Sequence, residues 1–230
     1  ITDSQTTITD VTGTESSLSV GSYTITPSGY TVENYTYTYV AGTLTVQNAD
    51  ITNYGVENIS GTYNGSAFEL VTKATTKNGQ PATFKYGTTE GNYNRSSLTL
   101  TSVGHTGTYY YQITALYHNT VTGSFTVSIE RATPIFEITP SMTSALEGDT
   151  VTVTITVKGV NGETTGIGSV EYDKDKIYTI LYNTGNSYTS DTAINYVISA
   201  SYTFTGSSGN YVESATGTLT ANVSVSPVAY

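Results

Sequence analysis

The stretch TVTVTITVKG, residues 150–159, alternates without a break. Val151, Val153, Ile155 and Val157 fall on one parity, and Thr150, Thr152, Thr154 and Thr156 on the other. Successive side chains of an extended chain leave on opposite faces, whereas a helix brings residues three and four apart together. A period of two therefore describes a strand with one buried and one wet face, the antiparallel pattern. It returns in INYVISASYTF, where Ile194, Tyr196, Ile198, Ala200, Tyr202 and Phe204 share a side and Val197 is the one apolar residue opposite. Shorter cases are Tyr109–Tyr111–Ile113–Ala115, Phe125–Val127–Ile129 and Leu219–Ala221–Val223–Val225. No window carries a helical period. Asn64–Gly65, Asn78–Gly79, Asn161–Gly162, Gly61, Gly91 and the stretch from Gly206 to Gly209 punctuate the strands. Many short strands with close turns point to a sandwich or barrel, and the lack of intervening helices excludes a parallel α/β sheet.

Composition agrees. About a fifth of the chain is threonine and 21 residues are tyrosine, both at home on a half-buried pleated surface, while charged residues are only 11%. The formal net charge is −10, and the eight basic residues are scattered singly, which argues against nucleic acid as a partner and against anionic membrane surfaces. No apolar run is long enough to span a bilayer. Without cysteine there is no disulfide framework and no thiolate metal site. The chain starts at Ile1 with no leader pattern and reads as a piece of something longer.

A pattern recurs three times. Gly21-Ser22-Tyr23-Thr24-Ile25 is followed by Gly42-Thr43-Leu44-Thr45-Val46, and Gly107-Thr108-Tyr109 with Ile113 by Gly123-Ser124-Phe125-Thr126-Val127. SYTFTGSSGNY is followed by Gly217-Thr218-Leu219-Thr220 and Val223. Each reads as a penultimate strand, a polar loop and a last strand. The expected organisation is a partial β module over residues 1–49, then β-sandwiches over 50–132 and 133–230, the full units being of ordinary domain size. The first segment is too short for a sandwich core of its own.

These residues resemble the tandem immunoglobulin-like repeats of bacterial cell-surface and adhesin-type proteins. EITPSMTSALEGDTVTVTITV with ISASYTFTGSSGNYVESATGTLTANVSV is similar to a bacterial Ig-like repeat, and ADITN…GTYNGSAFELV to another; SVGSYTITPSGYTVENYTYTYVAGTLTV resembles the end of an MBG-type module. Ile194 departs from the pattern, which tends to have glycine there. The resemblance implies an all-β fold of tandem Ig-like antiparallel β-sandwiches in an elongated arrangement, extracellular and on a bacterial surface.

In Ig sandwiches a tyrosine near the start of the penultimate strand can return its hydroxyl to nearby backbone and fix the corner between sheets. Tyr23 and Tyr109 are the candidates, with Gly21 and Gly107 two residues earlier supplying a tight or positive-φ backbone; an ordinary core tyrosine is the alternative. Tyr35, Tyr37 and Tyr39 alternate with threonine on what reads as one strand face. They could stack a sugar, although the absence of tryptophan favours inward packing over a thin core.

Chemistry is sparse. His105 and His118 read as solvated loop histidines, with no triad or metal-ligand spacing around them. Glu171, Asp173 and Asp175 would share a face of an extended chain and could hold calcium, but Lys174 and Lys176 lie between them and favour a charged edge strand. Glu147-Gly148-Asp149 is a weaker cation candidate. Lys158 and Asn222, the pair an isopeptide crosslink would need, both have the parity that faces water. The chain is expected to be a monomeric, non-catalytic stalk or adhesion scaffold with no cofactor, whose partners would be a surface glycan or host protein. The alternatives are a ligand-binding adhesin module and an accessory region of a large secreted enzyme.

Overall fold

A computed structural model describes residues 19–29, 33–36, 38–181, 193–207 and 209–226, and over these the chain is all-β. It opens with an antiparallel pair, β1 (Gly21–Ile25) and β2 (Gly42–Val46), in register from Gly21 against Val46 to Ile25 against Gly42. Their exposure alternates but no residue of the pair is fully buried, so this is a half-covered ribbon. The tyrosine–threonine stretch between them is not the strand its alternation predicts. Glu33–Asn34 form a turn, with Asn34 at φ +73°, and residues 35–36 and 38–40 are irregular. Alternation supplies β propensity, but a strand also needs a partner for its backbone, and among the described residues β1 and β2 pair only with each other.

Next come β3 (Thr52–Val56), β4 (Ile59–Thr62), β5 (Thr72–Thr75), β6 (Thr83–Gly87), β7 (Gly107–Thr114) and β8 (Val121–Glu130). β3 runs antiparallel to β5, with a register shift between Thr52 and Gly55. After Glu57 and Asn58 the chain enters a different sheet: β4 lies parallel to β8, Ile59 opposite Val127, and the order is β4-β8-β7-β6. The last segment repeats the device. Its strands are β9 (Ile135–Pro140), β10 (Ser144–Leu146), β11 (Thr150–Val151), β12 (Val153–Lys158), β13 (Gly168–Glu171), β14 (Tyr178–Thr179), β15 (Ile194–Gly206) and β16 (Ser214–Ser226). β9 is antiparallel to β12, Ile138 opposite Ile155, and β10 then lies parallel to β16, Ala145 opposite Val225, in a sheet ordered β10-β16-β15-β13. A first strand that starts in one sheet and finishes beside the last strand of the other, over two antiparallel sheets, is the immunoglobulin-type sandwich.

Burial follows parity. Val151 of β11 and Val153 and Ile155 of β12 pack with Ile198 of β15 and Val223 and Val225 of β16 into one cluster, and Phe204 joins Ile167, Tyr211 and Ala132 in a second. Val197, the exception in its strand, is 55% exposed. Each buried Val, Ile or Phe contributes about 1.5–3 kcal/mol relative to exposure, so the two clusters dominate the stability of this part. Backbone contacts divide the chain into two compact units: Ile1–Glu57, Val71–Ser97 and Tyr110–Ser124 form one, and Asn58–Leu70, Leu98–Tyr109 and Phe125–Tyr230 the other.

Candidate functional site

The two segments repeat a finer device where the chain leads into each of them. Ala132 donates its N–H to Asn210 O (2.9 Å) and accepts from Val212 N (3.0 Å), so it is clipped to the loop between β15 and β16. Ala49 does the same at the loop between β7 and β8, donating to Tyr117 O (2.9 Å) and accepting from Asn119 N (2.8 Å). The residue opposite each alanine is therefore equivalent: Tyr211 and His118. Each then receives a backbone N–H from the first residue of an Asn-Gly turn. Val160 N donates to Tyr211 Oη (2.9 Å), and Lys77 N donates to His118 Nε2 (2.9 Å). Asn161 and Asn78 sit at φ +54° and +60°, each followed by a positive-φ glycine, which is the type I′ geometry that selects Asn-Gly.

In the last segment this arrangement becomes a joint. Glu163, one residue past the turn, accepts from Tyr63 through Oε1 (3.0 Å) and from Tyr211 through Oε2 (2.5 Å). The two rings meet edge to face at 5.6 Å and 82°. Asn161 Nδ2 donates to Asn64 O (2.8 Å), and Val103 N donates to Asn210 Oδ1 (3.0 Å). Residues 63–64 and 103, from the middle segment, are thus held against residues 160–163 and 210–212, all inside the second unit. Tyr211 is 1% exposed, and burial first and the Glu163 bond second push its hydroxyl up to about 12. Burial and then Glu163 also raise Tyr63. Both shifts favour the neutral phenol that the hydrogen bonds require. Position 159 admits only glycine, since a β-carbon there would collide with the Tyr211 hydroxyl. Arg131 and Glu213 pair nearby at 2.5 Å, but both are solvent-exposed, so this pair contributes little.

The residues singled out from the sequence lie elsewhere. Tyr35 and Tyr39 are 70% and 41% exposed on irregular chain, not packed inward, and Tyr37 lies outside the described residues. Tyr23 donates its hydroxyl to Ser19 O (2.7 Å) and Tyr109 donates to His105 O (3.1 Å), each four residues upstream. Gly107 has φ +159°, but Gly21 has no positive φ and a β-carbon there would meet only the Tyr23 ring at 3.9 Å. Glu171, Asp173 and Asp175 do not converge: β13 ends at Glu171 and a turn at Lys174–Asp175 breaks the shared face. Among the described residues no three acidic or histidine side chains come together as a metal site would need. Lys158 pairs with Glu137 (2.7 Å), and Asn222 is exposed on β16.

The histidines are not solvated loop residues. His118 is buried, with Nε2 accepting from Lys77 and Nδ1 2.7 Å from Leu116 O, which fixes the Nδ1–H tautomer. His105 Nδ1 accepts from Thr101 N and Ser102 N. Sequence reasoning passed over Glu163 altogether, and quoted Tyr63 only as part of the repeat string GTYNGSAFELV, with no role of its own. Asn210 and Tyr211 stood inside the quoted repeat pattern, but no spacing rule connects Tyr211 to a carboxylate 48 residues earlier.

No family model and no curated protein matches the chain. Solved structures similar in arrangement include PcdhgB3 EC1-4 (TM-score 0.27, 10% identity, 84% of this chain and 54% of that one). Titin domains z1z2 in complex with telethonin give TM-score 0.35 at 14% identity over 81% of this chain and all of that one. Domains 4 and 5 of the S-layer protein SbsC give 0.26 at 20% identity, over 80% of this chain and all of that one. The chain spans about half the length of the PcdhgB3 fragment. At these scores the strand order and register above carry the fold, and the neighbours add nothing finer.

Proposed function

We propose that the chain is a non-catalytic scaffold of an extracellular, bacterial cell-surface protein, in which residues 50–132 and 133–230 act as load-bearing Ig-like modules of a stalk or adhesion region. The observation that supports this is the parallel pairing of first and last strands in both segments, β4 with β8 and β10 with β16. Two parallel neighbours carry the chain in at one end and out at the other, so tension along the chain loads their hydrogen bonds together in shear. An antiparallel pair pulled from adjacent ends would open one bond at a time. The joint at Glu163 fits the same role, because it fastens one segment to the next by part-buried hydrogen bonds from two phenols to one carboxylate. Threonine-rich outer faces suit prolonged exposure to water at little charge. No helix among the described residues is long and apolar enough to cross a membrane, which leaves strands out of account.

Brief protease treatment of intact source cells tests the location: peptides of this chain should be released before lysis, and complete protection would contradict a surface role. Exposed Tyr35 and Tyr39 favour a second reading, an adhesin holding a glycan or host protein. In a glycan and mucin screen the scaffold reading expects no saturable binding. Binding that disappears in Tyr35→Ala/Tyr39→Ala would replace it with the adhesin.

A further inference from the structure

Asn-Gly occurs three times in the chain, at 64–65, 78–79 and 161–162. In this dipeptide the glycine nitrogen, with no side chain beside it, can attack the carbonyl carbon of the asparagine side chain. The turns at Asn78 and Asn161 match closely. Their backbones agree, φ +60° and ψ +23° against φ +54° and ψ +22°. The residue before each donates its N–H to a buried ring residue, Lys77 to His118 and Val160 to Tyr211. Each turn is also closed across its base, Thr76 Oγ1 donating to Gln80 O (2.5 Å) and Gly159 N to Glu163 O (2.8 Å). This ψ turns the glycine nitrogen away from the asparagine Cβ, so neither residue can react until its turn opens.

What differs is the set of bonds that opening must break. Asn161 Nδ2 donates to Asn64 O (2.8 Å), and Glu163 just beyond the turn accepts from Tyr63 and Tyr211. Asn64 is held by that contact at its carbonyl and by Ser66 N at its Oδ1 (2.9 Å). The Asn78 side chain makes no hydrogen bond among the described residues. We propose that Asn78 is a site of spontaneous deamidation in the folded protein, and that the joint protects Asn64 and Asn161 from the same reaction. Gly79 N bonds to Asn78 Cγ, and the side-chain nitrogen leaves as ammonia, taking the proton from Gly79 N and closing a succinimide ring. Water then adds to one ring carbonyl, whose bond to Gly79 N breaks as that nitrogen regains a proton. Opening at the side-chain carbonyl leaves aspartate, and opening at the main-chain carbonyl carries the chain through Cγ as isoaspartate. Either product adds a negative charge. The isoaspartate also adds a backbone carbon that a two-residue type I′ turn cannot hold, which withdraws Lys77 N from His118 Nε2.

Peptide mass mapping of the full chain, held folded in mildly alkaline buffer and sampled over time, tests this against a parallel sample in concentrated urea. In urea the three sites should convert at similar rates, since glycine follows each. In the folded chain Asn78 should convert at least about tenfold faster than Asn64 or Asn161, because local opening sets the rate. Glu163→Ala should speed conversion at Asn161 and leave Asn78 unchanged, and the milder Tyr63→Phe should move Asn161 in the same direction. Equal folded-state rates at Asn78 and Asn161 would overturn the proposal, as would faster conversion at Asn64 or Asn161. A preference for Asn78 of the same size in urea would also overturn it, because flanking sequence rather than the fold would then set the order. No change at Asn161 in either variant would remove the joint as its protection and contradict the proposal.

Discussion

Glu163 is one carboxyl group answering two phenols, and what happens to it shows how the joint is held. Glu163→Ala removes this acceptor from both hydroxyls; Tyr211 is buried, and a buried unsatisfied donor costs about 1–3 kcal/mol, whereas half-buried Tyr63 loses only the net worth of one bond. Urea unfolding should show a loss on the order of 2–4 kcal/mol, against less than about 1.5 kcal/mol for Tyr109→Phe, which removes a single bond to His105 O and keeps the ring on Phe125. The raised Tyr211 hydroxyl makes the joint sensitive to alkali. An unfolded tyrosine ionises near its ordinary 10, whereas the folded one holds its proton to about 12, so above 10 the unfolded state binds fewer protons and stability falls with pH. The contribution is complete below pH 10 and lost as pH rises through about 12. Tyr211→Phe should flatten that decline in urea midpoints taken from pH 9 to 12. None of this was legible beforehand, because the three partners are distant in sequence and hydroxyl-to-carboxylate pairing follows no local period. Tyr23 and Tyr109, by contrast, reach carbonyls four residues upstream, within the range a sequence pattern can capture.

Strands were the most legible level. Parity alone places Val151, Val153, Ile155, Ile198 and Phe204 inside and Val197 outside, because a half-buried sheet leaves no other way to satisfy a period of two. Phe204→Ala should therefore cost about 3–5 kcal/mol, while Val197→Thr should stay within about 0.5 kcal/mol of the unaltered protein, both read from urea midpoints at constant slope. Parity misled at Tyr35 and Tyr39, where alternation is present but no strand among the described residues pairs with this stretch. It also misled at Asp173 and Asp175, where the chain turns instead of continuing β13. In both places periodicity described the residues correctly and their backbone partners decided otherwise. The Asn-Gly turns were legible as turns, though not as the platforms from which Lys77 and Val160 reach His118 and Tyr211.

For the whole molecule, each occurrence of the repeated Gly-(Ser/Thr)-x pattern falls on a pair of neighbouring strands, β1–β2, β7–β8 and β15–β16. It did not reveal that first strands change sheets, since a parallel pairing between residues nearly seventy positions apart leaves no trace in either strand alone. That pairing is the centre of the functional account, and force applied to the two ends of single chains measures it most directly. Two abrupt steps are expected, each releasing one segment: about 83 residues for 50–132 and about 98 for 133–230, at roughly 3.3–3.6 Å per residue. Gradual lengthening at low force, with no step corresponding to either segment, would contradict it.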